Sequence, residues 1–197
     1  SEMCIRDSLI IWEFKSRVMG ESKNWGTDFI AIGENIHTTR VLRRKGKSIV
    51  EHEGLESICY SGPENDTRYL VIPDTFKERQ EYRQGQIKHV MIAVSIAMSG
   101  KESSEEAMTY LKTLTERQVE ANATYLDVNV DEISYKLEDQ KTAMRWRVET
   151  LQQITTRPLS IDSSNAEVIE VGLDAYNHDM PKPLLSLIHI SEPTRRY

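Results

Sequence analysis

The chain has few of the residues that staple a fold, anchor it in a bilayer or bind nucleic acid. Two cysteines, Cys4 and Cys59, occur in 197 residues. They give neither a disulfide framework nor the paired spacing of a zinc site, which points to a reducing, cytoplasmic setting. No run of about 18 apolar residues occurs, so the sequence offers no membrane-spanning helix. A basic surplus is missing as well. The formal net charge is -6, which argues against a general nucleic-acid binder, since that function needs a basic face. There is no P-loop, GxGxxG, HExxH or GxSxG pattern. What is present is ordinary for a globular protein: 39% hydrophobic and 28% charged residues, enough for one domain with a real core.

The two ends read differently from the middle. Leu185-Ser186-Leu187-Ile188-His189-Ile190 can be encoded by CTG TCT CTT ATA CAC ATC. The reverse complement of that stretch encodes Met-Cys-Ile-Arg-Asp, and the chain opens with Met3-Cys4-Ile5-Arg6-Asp7-Ser8. Both termini are thus expected to be translations of one DNA element, similar to a transposon end used in sequencing libraries. Residues 1–8 and 185–197 are therefore assigned as adapter-derived and not native, and 9–28 as a leader segment, with Met19 a candidate start. Residues 29–184 remain as the domain, expected to be a fragment of a longer parent.

Within that domain, Phe29-Ile30-Ala31-Ile32 closed by Gly33 reads as a buried strand. Turn signals at Lys45-Gly46-Lys47 and Ser61–Asp66, with a strand at Tyr69–Ile72, suggest an inserted hairpin-like segment around 41–75. Helical spacing covers about 76–98. Ser103-x-x-Glu106 reads as a capping box opening the next helix. Tyr125–Val130 reads as a strand, 137–154 as a helix and Pro158–Asp162 as a strand. Ser164-x-x-Glu167 reads as a second capping box, and Lys182-Pro183-Leu184 opens another strand. Strands and helices alternating with short connections mean parallel βαβ units. Tyr125–Val130 and Leu159–Asp162 each alternate one apolar face with one that turns polar near the C-terminal end. That alternation favours a (β/α)8 barrel over a doubly wound sheet, in which both faces are apolar. The expected fold is α/β, the N-terminal part of such a TIM barrel, truncated.

The polar strand ends are the candidates for chemistry. Asp162 ends its strand before a helix, where it can accept parallel bonds from a planar N–H edge or simply cap the helix. Asp127 and Asn129 share a strand face about 7 Å apart. A carboxylate among Leu126, Val128 and Val130 is costly to bury unless paired or functional. Glu34 and Asn35 follow the first strand, where Glu34 can equally pair with Arg40. His37 alone is a weak signal, since a lone histidine is more often structural. Arg40, Arg43, Arg44, Lys45 and Lys47 read as a solvated face or as a clamp for an anionic tail. Trp146 reads as packing, and Cys59 carries no assignment.

Four segments in order, Ile32–Arg40 (IGENIHTTR), Tyr125–Val130 (YLDVNV), Ser160–Leu173 (SIDSSNAEVIEVGL) and Lys182–Leu184, resemble the pterin-binding methyltransferase family. That family includes methyltetrahydrofolate:corrinoid/iron-sulfur protein methyltransferase and the folate domain of cobalamin-dependent methionine synthase. Residues 41–100 fall outside the resemblance. It implies a dihydropteroate synthase-like barrel with Asp162, Asp127, Asn129, Asn35 and Glu34 around the pterin. It also implies a methyltetrahydrofolate-like substrate, a cobalamin-type corrinoid carried by a partner protein, and a homodimeric parent with no nucleic-acid or membrane partner. The family's later active-site residues fall beyond the break, so no catalytic residue is assigned and the chain as given is expected to be inactive. Dihydropteroate synthase, whose first-strand segment differs from Glu34–Thr39, is the alternative, followed by a non-catalytic pterin-binding barrel.

Overall fold

The computed structural model describes residues 30–186. The assignments made for 1–8, 9–28, Phe29 and 187–197 lie outside these residues. The backbone is a four-stranded parallel sheet with helical crossovers, into which an antiparallel segment is inserted after the first strand.

The parallel sheet contains β1 (Ile32–Gly33), β7 (Tyr125–Val128), β8 (Leu159–Asp162) and β9 (Leu184–Ser186). Its spatial order, β1-β7-β8-β9, follows the chain. No strand doubles back past the first, so these four strands contain no topological switch point of the kind that marks a doubly wound sheet. This order suits a barrel wound in one direction. Leu185 and Ser186, assigned from the sequence to the adapter-derived end, complete β9, where Leu184–Ser186 pair with Ser160–Asp162. Helices α4 (Ser104–Glu120), α5 (Leu137–Ile154) and α6 (Ala166–Asp174) precede β7, β8 and β9 in turn.

Alternation along β7 and β8 decides what the helices cover. Leu126, Val128, Leu159 and Ile161 pack with Ala143, Met144, Val148 and Leu151 of α5 and with Val168 and Ile169 of α6. Each of the larger apolar side chains contributes about 1.5–3 kcal/mol by leaving water. The intervening residues Asp127, Ser160 and Asp162 therefore project from the opposite face. Gly172 lets α6 lie close on the sheet, since a Cβ there would stand 2.8 Å from Ile161 Cγ2 and 3.1 Å from Met144 Cγ.

The inserted segment is more elaborate than a hairpin. Strands β3 (Ile49–His52), β4 (Leu55–Ser61) and β5 (Thr67–Val71) form a three-stranded antiparallel sheet. Glu53 and Gly54, at φ 51° and 76°, make the two-residue β3–β4 turn with both residues left-handed, matching the twist of a tight hairpin. The helix expected over 76–98 is interrupted. Two single turns, α1 (Asp74–Lys77) and α2 (Gln80–Arg83), come first, and Gly85 at φ 80° follows. Then β6 (Gln86–Ile87) pairs antiparallel with β2 (Leu42–Arg43), and only His89–Met98 forms the long helix α3. In α3 every residue except Ser95 and Met98 is buried. It packs with Ile58, Tyr60, Leu70 and Ile72 of the antiparallel sheet and with Ala107, Tyr110 and Leu111 of α4.

Neither capping box forms. Ser103 has helical backbone angles and makes no side-chain cap. Glu106 instead turns to the antiparallel sheet, accepting from Tyr60 Oη and from Arg68 Nη2 at 2.6 Å. The cap of α6 is Asn165, one residue later than expected, whose Oδ1 accepts the Glu167 amide at 2.9 Å. Among the described residues, no helix is long and apolar enough to cross a membrane.

Candidate active site

Parallel strands in register bring their C-terminal ends to one rim. Asp127 is paired with Ser160 and Val128 with Ile161, so Asp162 and Asn129, just past these pairs, meet side by side. Asp127, Asn129 and Asp162 are 6%, 3% and 4% exposed. Asn129 Nδ2 donates to Asp162 Oδ2 at 3.0 Å. Asn129 Oδ1 accepts from the Asp131 amide at 3.0 Å and from Thr38 Oγ1 at 3.2 Å. An amide oxygen holding two donors fixes which way the side chain faces, and so fixes the NH₂ group against Asp162.

The turn after β1 closes over this pair. Ile36 is buried in the core beneath α5 and α6, anchoring the turn. The Thr38 amide reaches Asn129 O at 3.4 Å. His37 is thereby aimed at the carboxylates, with Nε2 3.2 Å from Asp162 Oδ2 and 3.6 Å from Asp127 Oδ2. Its Nδ1 lies 2.6 Å from Thr39 Oγ1. Behind the rim, Asp131 ties the two strand-end loops together, accepting from Ser163 Oγ at 2.6 Å and from the Ser164 amide at 2.8 Å.

Burial pushes the Asp127 carboxyl above the usual range. The Asp162 charge adds to the rise, while Ser160 and His37 act against it. Two carboxylates out of water beside one imidazole nitrogen resist joint ionisation, so the site favours a proton or a cation. An oriented carboxylate beside an oriented amide can receive the parallel N–H donors of a flat heterocycle.

Of the five residues named from the sequence, Asp127, Asn129 and Asp162 converge. Glu34 and Asn35 do not join them. Glu34 is exposed and pairs with Arg40, although its charge still acts on Asp127. Asn35 is exposed in the turn. The basic cluster is partly committed elsewhere, since Arg44 pairs with Glu56 at 2.8 Å and lies 4.3 Å over the Tyr82 ring. Trp146 packs against the α3 core, and Cys59 sits half-buried in β4. His37, Thr38, Asp131 and Ser163 belong to the cluster and were not singled out for it. Asp131 and Ser163 were within reach, each being at most two residues beyond a named candidate. Nothing local marked Thr38.

This is a polar site at the C-terminal rim of parallel βα units, the place where α/β enzymes bind their ligands. Residues 93–180 match the family model described as pterin binding enzyme. The matched stretch contains Asp127, Asn129 and Asp162 and leaves out the β1 turn with His37. No solved structure gives a significant match to the chain.

Proposed function

We propose that the parent of this chain is a pterin-dependent methyltransferase, moving a methyl group from N5 of a methyl-tetrahydropterin to a corrinoid carried by a partner protein. The observation that carries the pterin half of this reading is the Asn129–Asp162 pair at 3.0 Å, buried at the sheet rim within the family-matched stretch. Asp162 would accept the amino-pyrimidine N–H edge of the pterin, with Asn129 holding the carboxylate in place. Asp127 would line the same pocket, its carboxyl raised by burial and by the Asp162 charge. The methyl group leaves from a tertiary amine, a poor leaving group, so the site must favour a proton or hydrogen bond at N5 as the C–N bond breaks. A corrinoid would supply the nucleophile, so the chain itself needs none. That partner rests on the resemblance of Ile32–Arg40 and Ser160–Leu173 to corrinoid-linked enzymes.

The test is methyl transfer from methyltetrahydrofolate to cob(I)alamin by the purified parent. Turnover supports the reading, and no transfer from any reduced pterin ends it. Condensation of a pterin pyrophosphate with p-aminobenzoate would instead identify a dihydropteroate synthase, an activity that also requires a pterin pocket.

A further inference from the structure

We propose that His37, Asp127 and Asp162 form a binding site for one divalent ion of the first transition row. The three side chains come from three separate strand ends, and each offers one ligand atom within 4.8 Å of the others. The edges from His37 Nε2 to the two Oδ2 atoms are 3.2 and 3.6 Å. Ligand atoms about 2.0–2.2 Å from a common ion stand roughly 3.0–3.5 Å from one another, so the two His37 edges already have the spacing of a shared ion and the third is at most 4.8 Å.

The surroundings supply two independent reasons. Exposed acidic clusters are solvated and need no ion, but both carboxylates here are buried, at 6% and 4% exposure. Their adjacency costs free energy that a cation would return. The outer contacts are also of the kind that orient metal ligands. With Nε2 on the ion, the ring proton moves to Nδ1, and Thr39 Oγ1 at 2.6 Å is there to accept it. Asn129 Nδ2 already donates to the Asp162 oxygen on the metal side. One imidazole nitrogen with two carboxylate oxygens suits zinc, manganese, iron or cobalt better than calcium or magnesium, which prefer all-oxygen shells. Three protein ligands leave a position open to water or to a heteroatom of a bound ligand.

The inference uses the side chains of the proposed pterin pocket but does not depend on that reading. The experiment is Co2+ titration of the metal-stripped 197-residue chain, followed by calorimetry and visible absorption without any pterin. One equivalent is expected to bind and give a ligand-field spectrum. His37→Gln and Asp127→Asn, both close in size to the native side chains, are each expected to weaken binding at least about tenfold. His52→Gln, on β3, should leave it unchanged. Substoichiometric uptake, or equal affinity in the His37 and Asp127 variants with native circular dichroism, overturns the site. Such a failure leaves pterin binding untouched, and a pterin that fails to bind leaves Co2+ uptake intact.

Discussion

The inserted segment and the parallel sheet both contain buried or half-buried carboxylates, and they treat them in opposite ways. In the insertion and on the face of α4 packed against it, Glu56 and Glu106 are answered. Burial alone would push Glu56 up, yet bonds from Tyr82 and Arg44 outweigh it and hold the carboxyl below its ordinary value. Tyr82 in turn is pushed up to about 12 by burial and by Glu56. Glu106 is served by Tyr60 and Arg68 in the same manner. At the sheet rim, Asp127 and Asp162 crowd together around one imidazole, and Asp127 is raised. The first arrangement pairs opposite charges and rigidifies a scaffold. The second crowds two buried carboxylates at a rim, which is how a functional site departs from a structural one.

The sharpest way to break this contrast is Asp162→Ala. Pterin affinity should fall about a hundredfold or more, the loss expected for a charge-assisted pair in a dry pocket. Calorimetry with a reduced pterin checks it, and unchanged affinity would return Asp162 to a capping role.

Next in size is an acid transition centred in the insertion. His89 is buried against Tyr110 Oη at 2.8 Å, and burial, with the Arg40 charge, lowers its pKa from 6.5 to about 4. The unfolded chain then binds the extra proton more readily than the folded one between these values. Stability from this group is therefore full above about pH 6.5 and is lost as the pH falls toward 4, by about 3 kcal/mol in all. Urea midpoints against pH should show it, and His89→Gln should flatten that part of the profile.

Glu106→Gln should cost about 1–2 kcal/mol in urea unfolding and leave pterin affinity as it was, because its partners lie in the insertion. Asp127→Asn should do the reverse on a smaller scale, gaining up to about 1 kcal/mol of stability while weakening the site. This is the usual trade where a strained group serves function. Should both variants behave alike, the distinction between charge-paired carboxylates and the crowded pair at the rim is lost.

The sequence exposed the parallel part better than the insertion. Leu126, Val128 and Leu159 alternate with Asp127, Asn129 and Ser160, so both the helix-covered face and the polar rim could be read from spacing alone. In the insertion, register depends on pairings such as Ile58 with Leu70 that no local pattern announces. Helix α3 is buried almost all round, so its helical spacing does not mark where it starts. The contact of His37 with Asp162 was not legible locally because the two lie 125 residues apart. The two capping boxes failed because Glu106 had a stronger partner in Arg68, and because Asn165 outcompeted Ser164 for the same helix end.

Lys88, at the start of α3, donates to Glu81 at 3.0 Å and to Glu132 at 2.5 Å, the latter on the loop beyond β7. One ammonium is thus shared between the insertion and the loop that frames the rim. A chimera exchanging either part alone would leave Lys88 or Glu132 short of an opposite charge, so a graft has to move both parts together.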